Sequence, residues 1–147
     1  MAVTPDEVAD RLAISDLNFA YVDAVNRRQP ELLREVFASD GEWHVPAGVA
    51  VGVEEVVLFF REQLKIYSFV VQMATSATAR IEGDRATGRV YVREEGRDPE
   101  GRDGTVLGLY DDEMVRTPEG WRFQRRKFRL LYLGRRPGRG KFYGPEP

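Results

Sequence analysis

The 147-residue chain contains no cysteine and a single histidine, His44. The first absence excludes disulfides, cysteine-ligated zinc, iron–sulfur clusters and a thiol nucleophile, and the second excludes a histidine-rich metal cage. No apolar run approaches the ~20 residues of a membrane span, and the start Met1-Ala-Val-Thr-Pro-Asp-Glu lacks the basic beginning and apolar core of a secretory signal. A cytoplasmic protein without a membrane role is the expectation. What is present suits one globular domain: 42% hydrophobic residues, 31% charged residues and a formal net charge of −2.

That small total hides an asymmetry. Residues 1–115 carry 12 basic and 22 acidic side chains, whereas Arg116–Lys141 carry 10 basic and one acidic. Basic residues fall on both faces of the last long strand, Trp121–Leu133, and the body of the domain is acidic. The pattern therefore argues against a nucleic-acid surface and for salt bridges within the sheet, or for a homodimer through the sheet.

Thr4-Pro5-Asp6-Glu7 is a helix start, with a Thr cap, Pro at the first helical position and Glu closing a capping box. Leu12, Ile14, Leu17, Tyr21, Ala24 and Val25 give the helix an apolar face through about Arg28. A second short helix is expected over Glu31–Ala38, a strand over Glu42–Val45, a loop or short extended arm over Pro46–Gly52, and a third helix over Val53–Tyr67. From Phe69 the period changes to two. Phe69–Ile81 and Ala86–Arg93 read as one hairpin, Glu94–Gly104 as an exposed loop, and Thr105–Arg116 with Trp121–Leu133 as a second hairpin. Residues 1–133 form the domain; 134–147 are an irregular tail rich in Arg, Gly and Pro. Helices followed by a meander predict an α+β domain whose curved antiparallel sheet wraps around N-terminal helices as a cone-shaped barrel, with a concave interior suited to a small hydrophobic molecule.

Several segments share an order and spacing with one family: Val25-Asn26-Arg27-Arg28, Phe37-Ala38-Ser39-Asp40-Gly41-Glu42-Trp43, Gln72-Met73-Ala74-Thr75-Ser76, Gly108-Leu109-Tyr110-Asp111-Asp112-Glu113 and Gly120-Trp121-Arg122-Phe123. Over about residues 8–133 the chain resembles the SnoaL-like branch of the nuclear-transport-factor-2-like superfamily. The resemblance implies a cone-shaped barrel, usually a homodimer, and relatives such as polyketide cyclases, scytalone dehydratase, ketosteroid isomerase and hexachlorocyclohexane dehydrochlorinase. Most of these work without a cofactor, by proton transfer in a dry pocket. It also implies that the carboxylate–histidine dyad of the dehydratase and dehydrochlorinase branches falls here on Asn26 and Gln72. Both are amides, and neither accepts a proton near neutrality. The isomerase's catalytic carboxylate falls on Val45, and its oxyanion-donating acid falls on Asp112.

The candidate catalytic residues are therefore His44, Asp112, Tyr110 and Tyr21. His44 is either a general base at the pocket mouth or a half-exposed strand residue beside Trp43. Asp112 is either a buried acid facing an oxyanion or the partner of an arginine on the neighbouring strand. Tyr21 and Tyr110 either donate to a substrate oxygen or simply fill the core. Asn26 and Gln72 are read as pocket-lining polar groups, with Trp43, Phe60, Tyr67, Tyr91 and Phe128 as aromatic lining for the substrate. Two functions remain: cofactor-independent lyase, isomerase or cyclase chemistry, or a binding module that has lost the dyad.

Overall fold

A computed structural model describes residues 3–135 and 141–142. Helix α1, Pro5–Asn26, begins where the sequence places it, with Thr4 Oγ1 accepting the Glu7 amide at 3.2 Å. Its buried face is Ile14, Leu17, Asn18, Tyr21, Ala24 and Val25. Leu12, expected on that face, is 63% exposed, because two residues of helix turn it about 200° from Ile14. The expected second helix is a shorter 3-10 segment, Pro30–Glu35, and the chain is already a strand by Phe37.

The strands are β1 (Phe37–Val45), β2 (Gly48–Val51), β3 (Phe69–Glu82), β4 (Arg85–Arg97), β5 (Asp103–Thr117), β6 (Gly120–Gly134) and β7 (Lys141–Phe142), with helix α2 (Val53–Leu64) between β2 and β3. They form one curved sheet in the order β2-β1-β6-β5-β4-β3, with β7 paired to β6. The expected cone-shaped α+β fold is present, with two differences in its sheet. The sheet is mixed, because β1 runs parallel to β6, and it is an open cone, because the edge strands β2 and β3 do not pair with each other. The arm expected before α2 is strand β2, and the tail contributes β7; residues 136–140 and 143–147 lie outside the described residues.

Among the described residues no helix is long and apolar enough to cross a membrane. The registers of β5 and β6 shift between Glu113 and Met114. A bulge at that point changes the alternation of β6, so that Trp121 and Phe123 before it and Arg126 after it are all buried. Gly108 is the close-approach glycine of the sheet: a Cβ there would lie 2.1 Å from the Phe128 ring.

The arginine-rich segment is paired with the acidic body. Arg116 meets Asp10 of α1 and Asp84, Arg125 meets Glu113, and Arg129 meets Asp111 at 2.7 Å. The deepest pair is Arg126–Asp112, with both side chains 1% exposed. Two parallel bonds of 2.9 Å join them, and Arg126 Nη2 also donates to Asn18 Oδ1 at 2.6 Å. The guanidinium lies over the rings of Phe123, Tyr110 and Tyr21, at 3.9, 4.2 and 4.3 Å from their centroids.

Removing one member of such a pair strands a buried charge. Asp112→Ala is expected to cost about 3–5 kcal/mol in denaturant unfolding, whereas the joint replacement Asp112→Leu with Arg126→Met costs less than the single change. A joint variant that loses more than the single change, as the sum of two independent losses would, contradicts the coupling.

Candidate active site

The concave face of the sheet, closed by α1 and α2, encloses a cavity of about 410 Å³. Its walls include Tyr21, Trp43, Phe60, Tyr67, Gln72, Tyr110 and Phe128, all read from the sequence as site residues, and also Glu94, which was not. The remainder is largely aliphatic, with Val25, Val70, Val106 and Leu130 as examples.

Glu94 was expected in an exposed loop. Strand β4 instead continues through Arg97, and residues 90, 92 and 94 share its inner face, so the carboxylate enters the cavity two residues beyond Val92. Tyr67 Oη donates to Glu94 Oε1 at 2.7 Å, and Gln72 Nε2 donates to Oε2 at 3.1 Å. Burial pushes the Glu94 carboxyl above its ordinary value, and those two hydrogen bonds partly oppose the shift. The signal was present as the alternation Val90, Val92, Glu94, but it was masked by the charged run Arg93-Glu94-Glu95.

From Glu94 a hydrogen-bonded chain crosses the cavity wall. Gln72, 2% exposed, places Nε2 3.4 Å from Tyr110 Oη, and the Tyr110 and Tyr21 hydroxyls lie 3.0 Å apart. Burial raises the pKa values of both phenols, so they are neutral donors. Two hydroxyls sharing one hydrogen bond spend only one proton between them. The other has no acceptor among the described residues and is available to a ligand.

Two side chains at the end of α1 hold the partners of Glu94 in place. Asn26 donates from Nδ2 to the Gln72 carbonyl at 2.9 Å and accepts the Gln72 amide at 2.7 Å. Its amide is thus spent on the β3 backbone and does not line the cavity. Arg28, at a positive φ of 54°, donates from Nη2 to the carbonyls of Leu64 and Tyr67 at 3.0 and 2.9 Å. There it caps the C-terminus of α2, where a cation is favoured.

Three other candidates lie elsewhere. His44 is outside the cavity: alternation along β1 sends Trp43 and Val45 inward and His44 outward, where Nε2 sits 2.7 Å from Glu42 Oε2. Tyr91 lies between the inward Val90 and Val92, on the outer face opposite Leu109. Asp112 faces inward with Tyr110 but ends at Arg126. Burial pushes its carboxyl up, the guanidinium opposes that shift, and both of its oxygens are spent on Arg126, so it offers no free acid to the cavity.

Residues 6–127 match the SnoaL-like domain. The chain belongs to the SnoaL-like family. An uncharacterized Mycobacterium tuberculosis protein, Rv2910c, is 30% identical over 124 residues, covering 82% of this chain and 84% of that protein. A crystal structure of a proposed aromatic ring hydroxylase from Novosphingobium aromaticivorans is 31% identical, with a TM-score of 0.81 over 91% of this chain and 94% of the other. Hexachlorocyclohexane dehydrochlorinase LinA-type3 from Novosphingobium barchaimii shares the fold, with a TM-score of 0.83 and 23% identity over 96% and 98% of the chains. As a SnoaL-like protein the chain has a pocket whose walls supply one carboxylate, three phenols and two amides, a set suited to hydrogen bonding and proton transfer.

The raised Glu94 pKa has a consequence for stability. The contribution of an acid whose folded pKa is raised is fully present below its unfolded value and is lost as pH rises through the folded value. Glu94→Gln is therefore expected to melt above the wild type near neutral pH, with the gap closing below pH about 4. Thermal melts at the two pH values check this; a variant that melts lower at neutral pH contradicts it.

Proposed function

We propose that this SnoaL-like protein catalyses cofactor-independent proton transfer on a small, largely apolar ring compound, of the lyase, isomerase or cyclase type, with Glu94 moving the proton. The observation that carries the reading is a carboxylate in an apolar cavity that is held by two neutral donors and lacks a cation partner among the described residues. A base in such a site has a pKa moved toward neutrality, where a general acid–base group works best. The unspent hydroxyl proton of the Tyr21–Tyr110 pair donates to the substrate oxygen as negative charge develops there. Gln72, the amide at the histidine position of the dyad, takes no proton; it orients Glu94 and links it to Tyr110. The named activities of the two structural relatives, on an aromatic ring and on a chlorinated ring, support a ring-sized substrate.

A second reading is a pocket that binds without turnover. It is favoured by Asn26, whose side chain is occupied by the β3 backbone, so that no dyad is formed at that position.

Deuterium exchange separates the two. Incubated in D2O with a panel of one- and two-ring ketones, the wild-type protein is expected to accelerate exchange beside the carbonyl of at least one member by about 100-fold or more. Glu94→Gln abolishes the acceleration, and Tyr21→Phe reduces it. The dependence on pH follows the ionised form of Glu94: the rate rises with pH through an apparent value above the ordinary 4.5. Binding without exchange, or exchange untouched by Glu94→Gln, contradicts catalysis by Glu94.

A further inference from the structure

The neighbours of Glu94 also constrain the charge of the ligand. Elsewhere in the sheet the inward or partly buried acids face cations: Asp112 faces Arg126, Asp111 faces Arg89 and Arg129, Glu95 faces Arg93, and Asp10 of α1 faces Arg116. Glu94 faces Tyr67 and Gln72, and among the described residues that line the aromatic cavity there is no lysine, arginine or histidine; Glu94 and Tyr67 also border a second cleft with Arg102 and Arg135, where Arg102 pairs with Asp98 and neither arginine forms an ion pair with Glu94. The same walls carry six aromatic rings, those of Tyr21, Trp43, Phe60, Tyr67, Tyr110 and Phe128. A carboxylate in low dielectric repels an anionic ligand and leaves a neutral one with hydrogen bonds only. A cationic ligand both neutralises the carboxylate and meets ring faces whose quadrupole attracts positive charge.

We propose that the cavity selects organic ammonium ligands, one- or two-ring amines whose protonated nitrogen rests against Glu94 and Tyr67 while the ring body packs among Trp43, Phe60, Tyr110 and Phe128. The inference rests on the reading of this cavity as a ligand site and names the substrate class for it.

Three isosteres of one ring system test the inference: 1-naphthylmethylamine, 1-naphthalenemethanol and 1-naphthoate, titrated calorimetrically into the full chain at neutral pH. The amine is expected to bind about tenfold or more tighter than the alcohol, with the carboxylate weakest. In Glu94→Gln the amine and the alcohol converge. The wild type offers a second arm without mutation. As pH falls through the Glu94 titration, the preference for the amine shrinks, because the carboxyl becomes neutral while the amine stays charged. The phenols of Tyr21, Tyr67 and Tyr110 have raised pKa values and remain neutral over that range, while the charged groups in the cleft on the other side of Glu94 are Arg135 and two acids already held in ion pairs, Asp98 with Arg102 and Asp103 with Arg97.

An alcohol that binds as tightly as the amine, or an amine preference that survives Glu94→Gln, overturns the inference. Should Glu94-dependent deuterium exchange persist in that case, the proposed proton transfer stands and only the ligand charge is wrong. Failure of all three to bind removes the cavity reading together with the inference.

Discussion

The Arg126–Asp112 pair organises the closed end of this molecule. It joins β5 to β6 through two bonds, reaches α1 through Asn18, and presents the guanidinium to three aromatic rings. Two of those rings, Tyr21 and Tyr110, carry the hydroxyls at the inner end of the polar chain, so a structural ion pair fixes where those hydroxyls face the cavity. The carboxylate is met by the fork of the arginine, and the arginine by Asn18 and the rings, with the buried Nη1 left without a hydrogen-bond partner among the described residues. Pairing of that kind supplies rigidity and leaves no free acid. The contrast with Glu94 separates scaffold from site: two inward carboxylates on neighbouring strands, one neutralised by a cation and one held by a phenol and an amide.

The far end of the site depends on the last turn of α1. Asn26 and Arg28 lie two residues apart, and each fixes one of the two donors to Glu94. Asn26 ties the backbone of Gln72, and Arg28 ties the backbone of Tyr67. The geometry around the carboxylate is thereby set by the last residue of α1 and the turn that follows it, the kind of support a preorganised site needs. The positive φ of Arg28 is the local cost of turning the chain out of the helix while keeping that guanidinium on the end of α2.

Much of the fold was legible in the sequence, because its signals are local. The Thr4 cap, the apolar face of α1 and the period-two strands are written in short spacings, and the family resemblance gave their arrangement. The parallel pairing of β1 with β6 was not legible, because it joins residues about 80 positions apart, Phe37 with Phe123 and His44 with Lys127. The lining of the cavity was legible where residue type and alternation agree, as at Trp43, Gln72, Tyr110 and Phe128. His44 and Tyr91 were weighed by chemistry, and the alternation of their strands sends them outward. Glu94 was passed over for the opposite reason: it is a charged residue in a charged run, and only its register with Val90 and Val92 marks it as inward.

Membership of the SnoaL-like family gives this chain a pocket, while the amides at positions 26 and 72 leave the dyad positions without an acid–base group. The central claim is that Glu94 is that group, a carboxylate in an apolar cavity without a cation partner among the described residues. The direct measurement is an NMR titration of protein carrying 13C-labelled glutamate carboxyls, with the Glu94 signal assigned by its loss in Glu94→Gln. The account predicts a pKa above the ordinary 4.5, and a fall in that value when a cationic ligand fills the cavity. A Glu94 that titrates at or below the ordinary value would place it in water or beside a cation, and would contradict the account.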